Sequence, residues 1–159
     1  MNMVQKHNLV NAINQVIFRL NTKPKCYHYM NCYKCNVGLL VQELLGITEI
    51  ELENTLHHYS GIWCTMFEKN QDDRENLLKK ISATGLTQKH LEELEGLSNP
   101  KICKIANLQV RHNGYASVIE NLITYLAVWA KLIEKEFQLK AKLVTEKQIV
   151  NELSKTTSV

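Results

Sequence analysis

Proline and glycine are scarce in this chain, with two prolines and six glycines among 159 residues. A many-stranded sheet needs more turn residues than that, so the scarcity disfavours a β fold. Apolar residues instead recur at helical spacing along most of the sequence. The pattern predicts an all-α, single-domain bundle of six or seven helices with a long C-terminal helix. We expect residues 1–142 to form the domain and residues 143–159 to be a partly helical tail that frays.

Long apolar runs are also missing. No window approaches the ~18 consecutive apolar residues that a membrane span needs, and the first residues interleave polar and apolar side chains, unlike a signal peptide. The net charge of +3 is spread evenly along the chain, which permits a nucleic-acid partner without requiring one. The expectation is a cytoplasmic protein without membrane contact, whose five cysteines stay reduced.

Capping residues mark several of the predicted helices. Asn36 is the expected N-cap of the second helix, and Gly46 is expected to end that helix in the left-handed conformation. Thr48 and Glu51 form a capping-box pattern at the start of the third helix. Residues 57–71 have no regular pattern and are predicted to form a loop.

The last helix is predicted to be the longest. Its apolar residues follow steps of three and four, and they are Ile119, Leu122, Leu126, Trp129, Ile133 and Phe137. Such a narrow stripe is typical of a bundle seam or a coiled coil. A homodimer through this C-terminal helix is therefore one expected partner arrangement.

A cluster of metal-binding residue types precedes the second helix. Cys26, His28, Cys32 and Cys35 are all zinc-ligand types, and Cys32 and Cys35 form a C-x-x-C pair. A loop of this length can wrap a tetrahedral ion, so the four residues are a candidate zinc site. Two other interpretations stay open, namely reactive or redox-active thiols and cysteines that pack as small buried hydrophobes.

Cys35 is also a candidate nucleophile. It lies directly before a helix, where unpaired backbone N–H groups lower the pKa of a thiol. Catalysis would further need a base, and His112 with Asn113 beside it is the candidate partner pair. This interpretation predicts a cysteine-dependent hydrolase or transferase.

Residues 77–108 resemble the helix-turn-helix of repressor-type regulators. The matching positions are Gly85, Leu86, Thr87, Gln88, Leu91, Gly96, Ser98, Ile102 and Ile105. The resemblance implies that residues 99–107 enter the major groove, with Asn99, Lys101 and Lys104 facing DNA. Arg111 extends this acid-free basic interval. Glu92 and Glu95 depart from the pattern of the motif, and a shift in helix phase that buries Leu91 and Leu94 would keep the core but change the docking angle. Two ordinary packed helices are the alternative.

The whole chain resembles small uncharacterised bacterial helical proteins. The resemblance is carried by Cys35–Leu39, which reads C-N-x-G-L, by Leu94–Ser98 and by Tyr125–Ala130. It implies one integrated domain and no particular activity.

These features together favour a regulatory or binding protein with a metal- or thiol-based site in the loop of residues 26–35. A cysteine-dependent enzyme and a helix-turn-helix DNA-binding regulator are the alternatives. The expected partners are another protein or a nucleic acid, and zinc is the one cofactor that the residue types suggest.

Overall fold

The computed structural model describes residues 1–56, 63, 72–108 and 119–157. These residues form helices and no strand, which confirms the predicted all-α fold with a long C-terminal helix. The helices are, in chain order, α1 (Met3–Thr22), a 3-10 turn (Pro24–Cys26), α2 (Asn36–Leu45), α3 (Glu49–Leu56), α4 (Asp72–Ala83), α5 (Gln88–Gly96), α6 (Pro100–Ala106) and α7 (Ile119–Thr156). The predicted loop at 57–71 lies outside the described residues except for Trp63.

The joint between α2 and α3 has the predicted capping geometry. The Thr48 hydroxyl accepts a hydrogen bond from the Glu51 N–H at 3.1 Å, and the Glu51 carboxylate accepts one from the Thr48 N–H at 2.8 Å. Gly46 ends α2 with a φ of 63°, in the left-handed region that glycine adopts without steric cost. The chain therefore turns from α2 into α3 within a few residues.

The start of α2 differs from the prediction. Its N-cap is Cys35, and Asn36 is the first residue of the helix. The reason is that the Asn36 side chain is buried and bonded to Tyr27 and to α5, so it does not cap its own helix.

α2 lies in the interior of the bundle. Val37, Leu39, Leu40 and Val41 have no exposed surface. Helices α1, α3, α4 and α5 all contact α2. A helix that is apolar on nearly every side needs to be buried on nearly every side. The first turn of α2 consequently opens into protein and not into water.

The first half of α7 completes the core by packing on α1 and α6. Leu122, Leu126 and Ile133 are buried as predicted, while Ile119, Trp129 and Phe137 are partly buried against the same core. The predicted stripe is thus the contact face of α7. In the part of the chain that the structure describes, no helix has both the length and the apolarity needed to cross a membrane.

The second half of α7 leaves the core. The helix continues to Thr156, beyond residue 142 where the predicted fraying tail begins. Good helix formers such as Leu, Lys, Ala and Glu dominate this half, which explains its helicity. Every side chain from 138 to 157 is exposed. We name residues 138–157 the α7 extension. The division of the chain at residue 142 stays a prediction.

Candidate functional site

Residues 26–38, which we name the cysteine turn, are fixed by internal hydrogen bonds. The His28 N–H donates to the Lys34 carbonyl at 3.1 Å, and the Lys34 N–H donates to the Asn31 carbonyl at 2.8 Å. The indole N–H of Trp63 donates to the Cys32 carbonyl at 2.8 Å in a buried position. The backbone of the turn is therefore fixed both by hydrogen bonds within the turn and by the hydrogen bond from Trp63.

Gly38 allows the first turn of α2 to approach this backbone. A Cβ atom at position 38 would lie 2.4 Å from the Cys32 carbonyl oxygen and 2.6 Å from the Tyr33 carbonyl carbon. Both neighbours are main-chain atoms, which cannot swing aside as the end of a side chain can. Glycine is thus required here because of the close contact between two backbone segments.

The Cys35 thiol is sealed beneath the cysteine turn. The Cys35 S–H donates a hydrogen bond to the Cys32 carbonyl oxygen, with 3.5 Å between the Sγ atom and that oxygen. Burial raises the pKa of Cys35 to about 11, although the N–H groups of Val37 and Gly38 lower it. Desolvation therefore outweighs the start of the helix. Cys35 is a neutral thiol at neutral pH, contrary to the ionised nucleophile that the sequence analysis expected.

Cys32 is buried in the same region. Burial raises its pKa, while nearby Arg74 lowers it and nearby Glu95 raises it. Arg74 lies on α4 and Glu95 on α5. The thiol consequently faces other helices of the bundle and not an open cleft.

The other two predicted zinc ligands point elsewhere. Cys26 is half-buried, with its Sγ 4.0 Å from the Arg19 carbonyl oxygen. The His28 ring stacks on Tyr29 at 5.7 Å between ring centroids and is exposed. Among the described residues, no three His, Cys, Asp or Glu side chains come together as a metal site. Cys32 and Cys35 are buried in the core, Cys26 packs against the core, and His28 is exposed. The candidate zinc site of Cys26, His28, Cys32 and Cys35 stays a prediction, which this arrangement does not favour.

Asn36 is the polar residue of this region that the sequence analysis undervalued. Its side chain accepts a hydrogen bond from the Tyr27 hydroxyl at 2.8 Å and donates to the Leu94 carbonyl at 3.1 Å and the Glu95 carbonyl at 3.3 Å. These bonds join the cysteine turn, α2 and the end of α5. The sequence feature that indicates this role is the position of Asn36, a polar residue at the start of an otherwise apolar helix.

The distances from Cys35 to its proposed catalytic partners, His112 and Asn113, fall outside the part of the chain that the structure describes. His112 and Asn113 lie outside the described residues, as does Arg111 of the proposed nucleic-acid surface. The grouping of Cys35 with His112 and Asn113 stays a prediction, and the raised pKa of Cys35 does not favour it.

Of the residues proposed to contact DNA, Asn99 is engaged in hydrogen bonds within the protein, whereas Lys101 and Lys104 are exposed. Asn99 is engaged as the N-cap of α6, because its side-chain oxygen accepts from the Lys101 and Ile102 N–H groups, each at 3.1 Å. Its side-chain NH₂ donates to Glu93 at 2.8 Å. Lys101 and Lys104 are exposed. DNA contact through these two lysines stays a prediction.

Helix α5 packs with the shifted helix phase that the sequence allows for residues 77–108. Leu91 and Leu94 are buried, while Glu92 is exposed and accepts a hydrogen bond from Gln88. α6 packs against α7. The choice between a helix-turn-helix and two ordinary packed helices stays a prediction.

The α7 extension carries an apolar stripe of its own. Leu139, Leu143, Val150 and Leu153 are each more than half exposed. They follow one another in steps of four, seven and three residues, so they lie on one face of the helix. Since each residue advances about 100° around a helix axis, this face lies about 120° from the face that packs on the core. We name these four residues the extension stripe.

Comparisons with protein-family models, with curated proteins and with solved structures give no significant match to the chain. The function must therefore be argued from the chain's own geometry.

Proposed function

We propose that this chain is a binding protein with a regulatory role, and that it holds a helix of another protein against the extension stripe. The observation that carries the proposal is the pair of faces on α7. One face is used by the core, whereas the second, rotated face carries the four exposed aliphatic residues of the stripe, with Glu146 between Leu143 and Val150. Contiguous exposed apolar surface of this kind is typical of protein-interaction sites.

The spacing of the stripe indicates a helical partner. Aliphatic residues at steps of three, four and seven form the narrow seam into which the side chains of one facing helix fit. Recognition of an amphipathic helix by such a seam is a recurring mode of protein binding. The 38-residue length of α7 lets the seam extend beyond the body of the bundle, where a partner can lie alongside it.

The size of the stripe predicts that the aliphatic residues alone give weak binding. Covering the exposed half of one leucine contributes about 1–1.5 kcal/mol, so four residues contribute roughly 4–6 kcal/mol. This is similar to the lower estimates for the cost of association. The residues beside the stripe must therefore decide which partner binds.

Site-specific photo-crosslinking in the native cells tests the proposal. A benzophenone amino acid at position 143 lies on the stripe, and the same group at position 148 lies on the opposite face of the extension. We expect discrete protein adducts from position 143, none from position 148, and loss of the adducts when Val150→Lys is added. Equal adducts from both positions, or none from position 143, would refute a binding role for the stripe.

A further inference from the structure

Lysines flank the extension stripe on both sides. With Leu143 and Val150 at one seam position of a heptad and Leu139 and Leu153 at the other, the flanking positions are read directly from the sequence. On the extension they hold Lys140, Lys147 and Ser154 on one side and Lys142, Ile149 and Thr156 on the other, with Lys135 one heptad before Lys142 and no acidic residue at any flanking position.

These lysines are available for a partner. Lys142 lies 4.0 Å from Glu146 within the helix, in an exposed pair that contributes little. Among the described residues, Lys135, Lys140 and Lys147 form no ion pair within 4.0 Å. The extension therefore presents a mainly aliphatic seam on which every charged flanking residue is a lysine.

We propose that the partner is an amphipathic helix with an aliphatic seam and acidic residues on both flanks. This inference rests on the proposed function, because it assumes that the stripe is a binding surface. Opposite charges at the flanking positions set partner choice in paired helices, and like charges exclude wrong partners. Since the flanks are basic on both sides, an acidic helix satisfies them in either a parallel or an antiparallel orientation.

The same flanks disfavour a second copy of this chain. In a parallel pair, Lys142 of one copy would lie beside Lys147 of the other, and Glu146 would face its own copy across the seam. In an antiparallel pair centred on the stripe, the two Lys147 side chains would meet. Like charges oppose association in both orientations. The homodimer that the length of α7 suggested is thus the less favourable occupant.

Glu146 offers the partner one further contact, which the partner can use but does not need. It occupies a seam position between Leu143 and Val150, where a polar residue specifies register at some cost in affinity. A partner residue opposite Glu146 that donates a hydrogen bond, such as lysine, arginine or an amide, would satisfy its carboxylate.

The length of the partner segment follows from where the seam begins and ends. Glu136 holds a seam position one turn before Leu139 but forms an ion pair with Lys6 of α1, so the body of the bundle occupies it. The seam runs from Leu139 to Leu153. It spans 15 residues, just over two heptads, so a partner helix of three heptads covers it with about one turn to spare at each end.

Binding of two synthetic peptides to the full chain tests this inference. The first consists of three Glu-Ile-Ala-Ala-Leu-Glu-Lys repeats, which place glutamate on both flanks of the seam. The second consists of three Lys-Ile-Ala-Ala-Leu-Lys-Glu repeats, which place lysine there. At low salt we expect the acidic peptide to bind at least ~10-fold more tightly by calorimetry, and we expect the ratio to shrink as salt screens the charges.

A charge-reversed variant makes the test specific to the flanks. The triple variant Lys140→Glu, Lys142→Glu and Lys147→Glu should prefer the basic peptide. A matched control reverses the same number of exposed charges elsewhere on the chain, at Lys23, Lys25 and Lys104. The control should still prefer the acidic peptide, because net charge alone does not set the preference.

The outcomes separate this inference from the proposed function. The acidic partner is overturned if the two peptides bind equally well. It is also overturned if the charge-reversed variant and the control variant prefer the same peptide. A third contradicting outcome is a stable dimer of the chain in sedimentation that Val150→Lys abolishes. Photo-crosslinking from position 143 would then still support a binding role. If neither peptide binds, the acidic partner is wrong, and the absence of crosslinks from position 143 would remove the proposed function as well.

Discussion

The cysteine turn is rich in reactive residue types but its central thiols are buried, whereas the α7 extension has ordinary helix-forming residues and is exposed. The cysteine turn contains the residue types associated with metal binding and catalysis, but its two central thiols are buried. Its Cys32 and Tyr33 carbonyl groups accept hydrogen bonds from Trp63 and Gln42, which lie outside the turn. The extension consists mainly of leucine, lysine and other common helix formers, and every one of its side chains is exposed. Exposure, and not the presence of reactive residue types, therefore decides which of the two regions a partner could reach.

The free energy of desolvation explains the contrast. An ionised thiolate in a buried position loses its hydration, and the N–H groups at the start of α2 do not compensate for that loss at Cys35. The lysines of the extension keep their hydration and lose part of it only when a partner arrives. The first region can therefore stabilise the fold, while the second can select a partner. Four predictions test this division, from the largest expected effect to the smallest.

Replacing Gly38 by alanine should be the most damaging single change in the cysteine turn. The new Cβ would lie 2.4 Å from the Cys32 carbonyl oxygen, so the backbone of the turn or of α2 must shift. We expect Gly38→Ala to lower the free energy of unfolding by about 3 kcal/mol or more, measured by urea denaturation.

Gly96→Ala is the matched control for that measurement. Its Cβ would be 3.4 Å from the Ser98 hydroxyl oxygen, at a contact that a side chain can relieve, and alanine is the better helix former. Its stability should be unchanged or slightly higher. If Gly38→Ala were equally harmless, the turn would not be tightly packed against α2.

Alkylation should distinguish the buried thiols from the half-buried one. With a pKa of about 11, roughly one Cys35 side chain in 10⁴ is ionised at pH 7, and burial blocks the reagent as well. We expect iodoacetamide to modify Cys26 at least ~100-fold faster than Cys35, with peptide-level mass spectrometry to resolve the sites. Denaturant should abolish the difference. Fast labelling of Cys35 in the native protein would restore it as a candidate nucleophile.

Asn36→Leu should destabilise the fold while keeping the side-chain volume similar. The variant leaves the Tyr27 hydroxyl and the carbonyls of Leu94 and Glu95 without the Asn36 partner. The expected loss is about 2 kcal/mol in the free energy of unfolding. The exposed change Asn11→Leu on α1 should stay within about 0.5 kcal/mol. A similarly small effect at Asn36 would mean that its bonds do not join α2 to α5.

The sequence was sufficient for features that depend on neighbours along the chain. The capping box at Thr48, the left-handed Gly46 and the buried residues Leu122, Leu126 and Ile133 all follow from local spacing, and all are confirmed. Local spacing also correctly predicts that α7 is the longest helix.

Features that depend on distant residues could not be predicted in this way. The bond from Trp63 to the Cys32 carbonyl spans 31 positions, and the bond from Asn36 to Leu94 spans 58. Without them, the cluster of cysteines gives no indication of its burial. The extension stripe was missed for another reason. The stripe predicted for α7 ends at Phe137, because the same face then carries Lys140 and Lys147, whereas the exposed aliphatic residues lie on a rotated face.

The smallest effect on stability is expected in the extension itself. Leu143→Lys combined with Val150→Lys replaces two exposed aliphatic residues, and because lysine is a good helix former and neither residue packs on the core, the free energy of unfolding should change by less than about 0.5 kcal/mol. Leu126→Ala, at a fully buried position of the same helix, should cost about 3 kcal/mol. A loss of 2 kcal/mol or more in the double variant would mean that the stripe packs on this chain's own surface in solution, which would leave no free face for a partner helix.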